Sequence, residues 1–169
     1  MTRILALLAC LLPCIACDQA TKILAVSHLK GGPAVNVVDG MFRLTYAENP
    51  GAFLSLGAHL PDAWRIGIFT VGVALLLTVV AVMLARKQVA PLVFAGIALL
   101  VAGGVGNLVD RIARPGGRVV DFAQLTAPSP LPVMMRTGVF NVADLQIVGG
   151  AALVLVGTMR RRRQPELTA

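Results

Sequence analysis

Charge, histidine and aromatic side chains are all scarce in this chain. Of its 169 residues 14% are charged, two are histidine (His28 and His59), and tryptophan and tyrosine occur once each. An ordinary soluble domain carries about 25% charged residues, so a water-soluble globule is excluded. Aromatics make up 5% of the chain and do not alternate with basic residues, which argues against a nucleic-acid surface. Two histidines, no HExxH and three cysteines in one apolar run (Cys10, Cys14, Cys17) assemble neither a zinc protease site nor a structural zinc. No metal and no cofactor are expected. A Gly-x-Ser-x-Gly elbow and a rhomboid-like Gly-x-Ser-Gly are also missing. Ser27, Ser55 and Ser129 are the only serines, and a serine beside Lys22 or Lys30 stays open by spacing.

What the chain has in abundance is apolar length, at 57% hydrophobic. About 20 apolar residues cross the roughly 30 Å hydrocarbon layer as a helix. Four spans fit, at about 4–26, 66–85, 89–109 and 139–159, with the first the least continuous because Asp18 and Lys22 interrupt it. The expected fold is an all-α polytopic membrane protein, one integral domain over 1–169, with four transmembrane helices and a small extracytoplasmic β-cradle. Arg3, Arg86-Lys87 and Arg160 to Arg163 fall in short connections or at the ends, which places them and both termini in the cytoplasm. Seven of the eight acids (Asp18, Asp39, Glu48, Asp62, Asp110, Asp121, Asp144) then fall on the outer side or at its membrane edge. Of the two outer segments, about 27–62 and 110–138, the first reads as a hairpin turning at Asp39-Gly40 between β-prone runs. The second, with Pro115-Gly116-Gly117, Pro128, Pro130 and Pro132, reads as mostly loop.

An ionisable group at membrane depth is costly and is a functional candidate by default. Asp121 follows Arg118-Val119-Val120 in an apolar β-like stretch. Asp144 opens span four, where Asn141 as N-cap would put it at N3, ionised by the helix dipole or serving as a capping-box partner. If the two carboxylates meet, they share one proton, with Asp144 expected ionised and Asp121 protonated, as in an aspartic protease dyad. A proton-coupled transporter would use the same pair to carry protons. The glycines of Gly103-Gly104-Val105-Gly106 match no Walker motif and read as sites of close helix approach. Asn107, Asp110 and Arg111 then lie at the mouth of the site, where Asp110 and Arg111 hold the fold or meet a lipid phosphate. Cys14-Ile15-Ala16-Cys17 has some likeness to a lipoprotein signal peptide processed at Cys17; otherwise the three cysteines are packing residues of span one.

Five segments in order, Asp18-Gln19-Ala20-Thr21-Lys22, Glu48-Asn49-Pro50-Gly51-Ala52-Phe53, Gly106-Asn107-Leu108-Val109-Asp110-Arg111, Val119-Val120-Asp121-Phe122 and Phe140-Asn141-Val142-Ala143-Asp144, resemble the lipoprotein signal peptidases (signal peptidase II). The resemblance implies an aspartic endopeptidase of the bacterial inner membrane. Such an enzyme acts as a monomer among membrane lipids and removes signal peptides from prolipoproteins, cutting before the diacylglyceryl-modified cysteine. Its active site would face the outer side. Asp121 and Asp144 match the catalytic positions. Asp18, Lys22, Asn49, Gly51, Asn107, Asp110, Arg111 and Asn141 match positions that shape the site and the substrate pocket. The chain departs from the usual Asn-x-Gly-Ala-Ala-Phe pattern, with Pro50 at the variable position and Phe53-Leu54 in place of Ala-Phe.

Overall fold

The computed structural model describes residues 2–51, 57, 59–127 and 135–163. Phe53, Leu54, Ser55, Pro128, Ser129, Pro130 and Pro132 lie outside the described residues. Helix α1 (Thr2–Leu29) is followed by strands β1 (Val35–Val37) and β2 (Phe42–Asn49). The next membrane helix begins as α2 (Asp62–Ile66), passes through a π-helical turn at Gly67–Gly72 and continues as α3 (Val73–Arg86). Then come α4 (Pro91–Ala113), a tight turn Pro115–Gly117, strands β3 (Val119–Ala127) and β4 (Met135–Arg136), and α5 (Val142–Arg163).

The fold is mostly helical, with four helices long and apolar enough to cross a membrane, at Arg3–Leu29, Asp62–Arg86, Pro91–Ala113 and Val142–Arg160. Large apolar side chains such as Leu75, Leu76, Ile112 and Leu155 are exposed, at 61 to 70%. The largest fully buried side chains include Lys22, Asn141, Asp18 and Asp110. An interior more polar than the surface is the arrangement of a multi-pass membrane protein. Pro91 opens α4 at its first turn, where its missing N–H costs nothing.

Helix α4 is central and packs against α1, α3 and α5. Its contact with α5 is the closest, because glycines on both helices let the backbones meet. A Cβ on Gly150 would stand 2.6 Å from the carbonyl oxygen of Gly96, and one on Gly157 2.8 Å from Val93 Cγ2. Leu7, Leu84 and Ala98 form a small apolar core with Phe94 and Ile97. Arg3 donates to the carbonyl of Lys87 and sits 5.9 Å from the Phe94 ring. The basic end of α1, the α3–α4 turn and the end of α5 therefore lie together, opposite the sheet.

The strands form an antiparallel sheet in the order β1-β2-β3-β4. Its hairpin turns at Asp39-Gly40, with φ of 51° and 82°, left-handed at both positions as a mirror-image turn requires. The segment after α4 differs from the sequence expectation of a loop. Helix α4 runs on to Ala113, and Val119–Ala127 is a nine-residue strand, because β2 offers it a partner that local composition does not reveal. Between Leu44↔Ala123 and Ala47↔Asp121 the pairing slips by one residue, a bulge in β2. Side chains alternate faces along a strand, so one extra residue exchanges the faces beyond it. The bulge thereby puts Asn49, which pairs with Val119, on the same face as Asp121.

Candidate active site

Five elements converge where the sheet meets the bundle: α1, the end of β2, the end of α4, strand β3 and the start of α5. Asp121 and Asp144 come together there through Asn141. The Asn141 Nδ2 donates to Asp121 Oδ1 at 2.7 Å, and its backbone N–H donates to Asp144 Oδ2 at 3.1 Å. Asn141 Oδ1 accepts in turn from the Asp144 backbone N–H at 3.0 Å. Asp144 and Asn141 thus form a reciprocal capping box at the point where α5 begins, and that box fixes the Asp144 carboxylate beside the residue that also holds Asp121. Phe122 and Ala123 both donate to Phe140 O, at 3.0 and 2.9 Å, which ties β3 to the segment entering α5.

Each asparagine in the site has its carbonyl oxygen occupied by a donor, so its NH2 must turn to a carboxylate. Asn49 Oδ1 accepts from Gly51 N–H at 3.0 Å, and Asn49 Nδ2 donates to Asp121 Oδ2 at 3.2 Å. Gly51 O accepts from Arg111 Nη2 at 2.6 Å, and Arg111 Nη1 holds Gly117 O at 3.0 Å. Asn107 Oδ1 accepts from Lys22 Nζ at 2.9 Å, and Asn107 Nδ2 donates to Asp144 Oδ1 at 3.1 Å. Asp121, 3% exposed, has its pKa raised to about 7, first by burial and then by the nearby Asp144 charge, against the opposing hydrogen bonds from Asn49 and Asn141.

All ten site residues expected from the sequence lie in this network. Asp110 and Arg111 both hold the fold, each with different partners. Adjacent helical residues face different ways, so Asp110 is 1% exposed and paired with Lys22 at 3.2 Å and Arg114 at 3.3 Å, while Arg111 reaches the sheet. Gly103, Gly104 and Gly106 lie within α4; a Cβ on Gly106 would meet Asp18 Oδ2 at 2.6 Å. Lys22 and Lys30 are engaged by Asp18 and Asp110 and by Glu48, and among the described residues not by a serine. Ser27 Oγ lies 2.7 Å from His28 Nδ1, but both groups are exposed and both reach Leu24 O. Two participants escaped sequence reasoning. Gln19 Nε2 donates to Asp18 Oδ2 at 3.1 Å and Gly106 O at 3.0 Å, and its place in the first of the five segments was the available signal. Phe69, whose ring lies 5.5 Å from the Arg111 guanidinium, had none.

A cleft of about 380 Å³ opens between the membrane helices beside this network. Phe69, Val73, Leu108, Ile147 and Val148 supply apolar walls, and Asn107, Arg111 and Asp144 its polar end. Among the described residues no three His, Cys, Asp or Glu side chains converge as metal ligands. An apolar hollow of about 320 Å³ between α1 and the sheet, lined by Leu24, Leu44 and Phe122, carries no carboxylate.

A sequence model of the family described as Signal peptidase (SPase) II matches residues 10–160. The chain belongs to the signal peptidase II family. It is 34% identical over 151 residues to a lipoprotein signal peptidase of Geobacter sulfurreducens, with 87% of both chains covered. To the lipoprotein signal peptidase of Rhodococcus jostii it is 36% identical over 149 residues, covering 86% of this chain and 68% of that one. A solved bacterial membrane enzyme has the same fold, with a TM-score of 0.74 at 23% identity over 92% of this chain and 88% of that one. As a signal peptidase II, the chain is a protease.

Proposed function

We propose that this protein removes the signal peptide from prolipoproteins by an aspartic mechanism in which Asp121 and Asp144 are the catalytic pair. The observation that carries the reading is the convergence of two carboxylates on Asn141 at the polar end of an apolar cleft. In this reading Asp144, which lines the cleft, is the ionised base. It takes a proton from water as the oxygen attacks the scissile carbonyl. Asp121, protonated and nearly out of solvent, donates its proton toward the carbonyl oxygen as charge develops there. Collapse of the tetrahedral intermediate then passes the proton held by Asp144 to the departing amine. The two roles need two different protonation states, and the deeper burial of Asp121 supports that division.

Asp18, Lys22, Asn49, Gly51, Asn107, Asp110, Arg111 and Asn141 shape the site around that pair. The apolar walls suit the hydrophobic segment of a signal peptide and the diacylglyceryl-modified cysteine. The grouping of Arg3, Arg86, Lys87 and Arg160 at the far end supports both termini in the cytoplasm and the site at the outer face of the bacterial inner membrane. The protein works as a monomer among membrane lipids. Processing at Cys17, the rival reading, would cut α1 one residue before Asp18, whose Oδ1 accepts from the Ala143 N–H at 2.8 Å. Intact mass separates the two, since a retained, unlipidated amino terminus leaves the enzyme reading standing.

The test is cleavage of a purified diacylglyceryl-modified prolipoprotein by the wild type, Asp121→Asn and Asp144→Asn, each shown to be folded. Loss of cleavage in both variants is expected. Near wild-type activity in either one would remove the aspartic mechanism from these positions.

A further inference from the structure

Lys22 heads the fully buried side chains of the protein, with 0% exposure, and none of the proton transfers above uses it. An ammonium has three N–H donors and no acceptor. Lys22 Nζ lies 2.8 Å from Asp18 Oδ2, 2.9 Å from Asn107 Oδ1 and 3.2 Å from Asp110 Oδ2, so all three donors are spent. What those three acceptors do next is the informative part. Asp18 Oδ1 accepts from the N–H of Ala143 at 2.8 Å, one residue before Asp144. Asp110 Oδ2 accepts from the N–H of Val120 at 2.9 Å, one residue before Asp121. Asn107, its oxygen fixed on the ammonium, has only its NH2 to present to Asp144 Oδ1.

One cation is thus joined by two carboxylates to the backbone immediately preceding both aspartates, and by an amide to one of their side chains. A buried ion cluster is a weak stabiliser, because the cost of desolvation offsets the attraction. Its contribution here is geometric. Without the ammonium, the Asn107 oxygen keeps only the Asn141 Nδ2 donor at 3.1 Å and its amide is held less firmly toward Asp144, and two buried carboxylates lose the charge that draws them together. We infer that Lys22 is a positioning residue that sets the spacing of Asp121 and Asp144 and orients the Asn107 amide to donate to Asp144. The inference rests on the catalytic pair proposed above.

Lys22 does not line the cleft, so its loss should act on turnover and leave substrate binding in place. The experiment measures kcat and KM of the full chain in detergent with a diacylglyceryl-modified prolipoprotein, alongside thermal unfolding. It compares wild type, Lys22→Met and Lys22→Gln, with Asp121→Asn and Asp144→Asn as controls. In Lys22→Met kcat should fall about 100-fold, the cost of roughly ångström misplacement of reacting groups, while KM stays within about threefold. Lys22→Gln, which keeps N–H donors at that position, should recover part of the lost kcat. A folded Lys22→Met with wild-type kcat, a loss carried by KM, no recovery in Lys22→Gln, or failure of both variants to fold would each overturn the positioning role. The controls keep the two readings apart. If Asp121→Asn and Asp144→Asn still cleave, the pair itself is wrong; if they do not and Lys22→Met turns over normally, only the role of Lys22 falls.

Discussion

Helices α4 and α5 run side by side from one end of the bundle to the other, yet two different materials join them. The contact is backbone against backbone through Gly96, Gly150 and Gly157 away from the sheet, and again toward it through Gly103, where an added Cβ would run into the Ala143 carbonyl. Toward the sheet the same helices are joined by Asn107, Asn141 and Asp144, with Asp18 reaching in from α1 to the Ala143 N–H. Small-residue packing gives closeness without direction. Hydrogen bonds between amides and carboxylates give direction, and in a low-dielectric surround they are costly to leave half made. The glycines along the interface therefore fix how near the helices lie, and the polar half fixes in addition how two carboxyl groups point.

Substitutions at the two halves should fail differently. The largest effect belongs to the polar half. Asp121→Asn and Asp144→Asn should each lower the cleavage rate by about 10³-fold or more, the scale seen when members of a catalytic unit are removed, with the fold retained by circular dichroism. Next comes the glycine half, where Gly150→Ala should cost about 1–3 kcal/mol by overpacking against the Gly96 carbonyl. Thermal unfolding should register that loss while kcat per folded molecule stays at the wild-type value. Gly149, where an added Cβ would meet nothing within 4 Å, is the control for the same helix: Gly149→Ala should be neutral or stabilising by about 0.5–1 kcal/mol.

A pH series sharpens the polar half further. In the proposed mechanism protonated Asp121 is the required form, so kcat/KM should decline as pH rises through about 7. The Asn49 hydrogen bond favours the ionised carboxyl, so Asn49→Ala should move that descending limb to higher pH; movement to lower pH would count against the assignment. Stability follows the same sign. A carboxyl whose folded pKa is raised from 3.8 to about 7 contributes fully below about pH 4, and that contribution is lost as pH rises to about 7. Asp121→Asn should therefore gain melting temperature over wild type at pH 8 and less at pH 5. The smallest change belongs to the exposed cluster on the sheet. There Glu48, whose pKa is lowered chiefly by the Tyr46 hydroxyl, meets Lys30 and Arg118 at 3.4 and 3.6 Å. Glu48→Gln should shift the melting temperature less than Gly150→Ala does, as loose surface pairs contribute little.

Four apolar helices, the Asp39-Gly40 hairpin and the N-cap at Asn141 were legible because each follows from local pattern: apolar length, a turn pair, a capping residue three positions before an acid. The proposed pair, Asp121 and Asp144, stood out because carboxylates in apolar stretches are rare. What stayed hidden depended on pairing across distance. Strand β3 needed β2 beside it, and the Asp18, Lys22 and Asp110 cluster needed α1 packed on α4. The separate destinations of Asp110 and Arg111 needed the sheet in place. The bulge in β2 was hidden as well, since a one-residue slip leaves no trace in composition.

The π-helical turn at Gly67–Gly72 is the second such insertion. An α-helix turns about 100° and rises about 1.5 Å per residue, and a π-turn admits one residue more than an α-turn. Wound as an unbroken α-helix, the same 25 residues of Asp62–Arg86 would still cross the hydrocarbon layer. The Asp62 end, however, would swing by about 100° relative to Leu77, which packs on Gly104. Arg65, now 8% exposed and bonded to Gly116 O and Asp62, would be carried away from that carbonyl. The bilayer would accept either winding, so it is the phase of this helix, and not its span, that the π-turn serves.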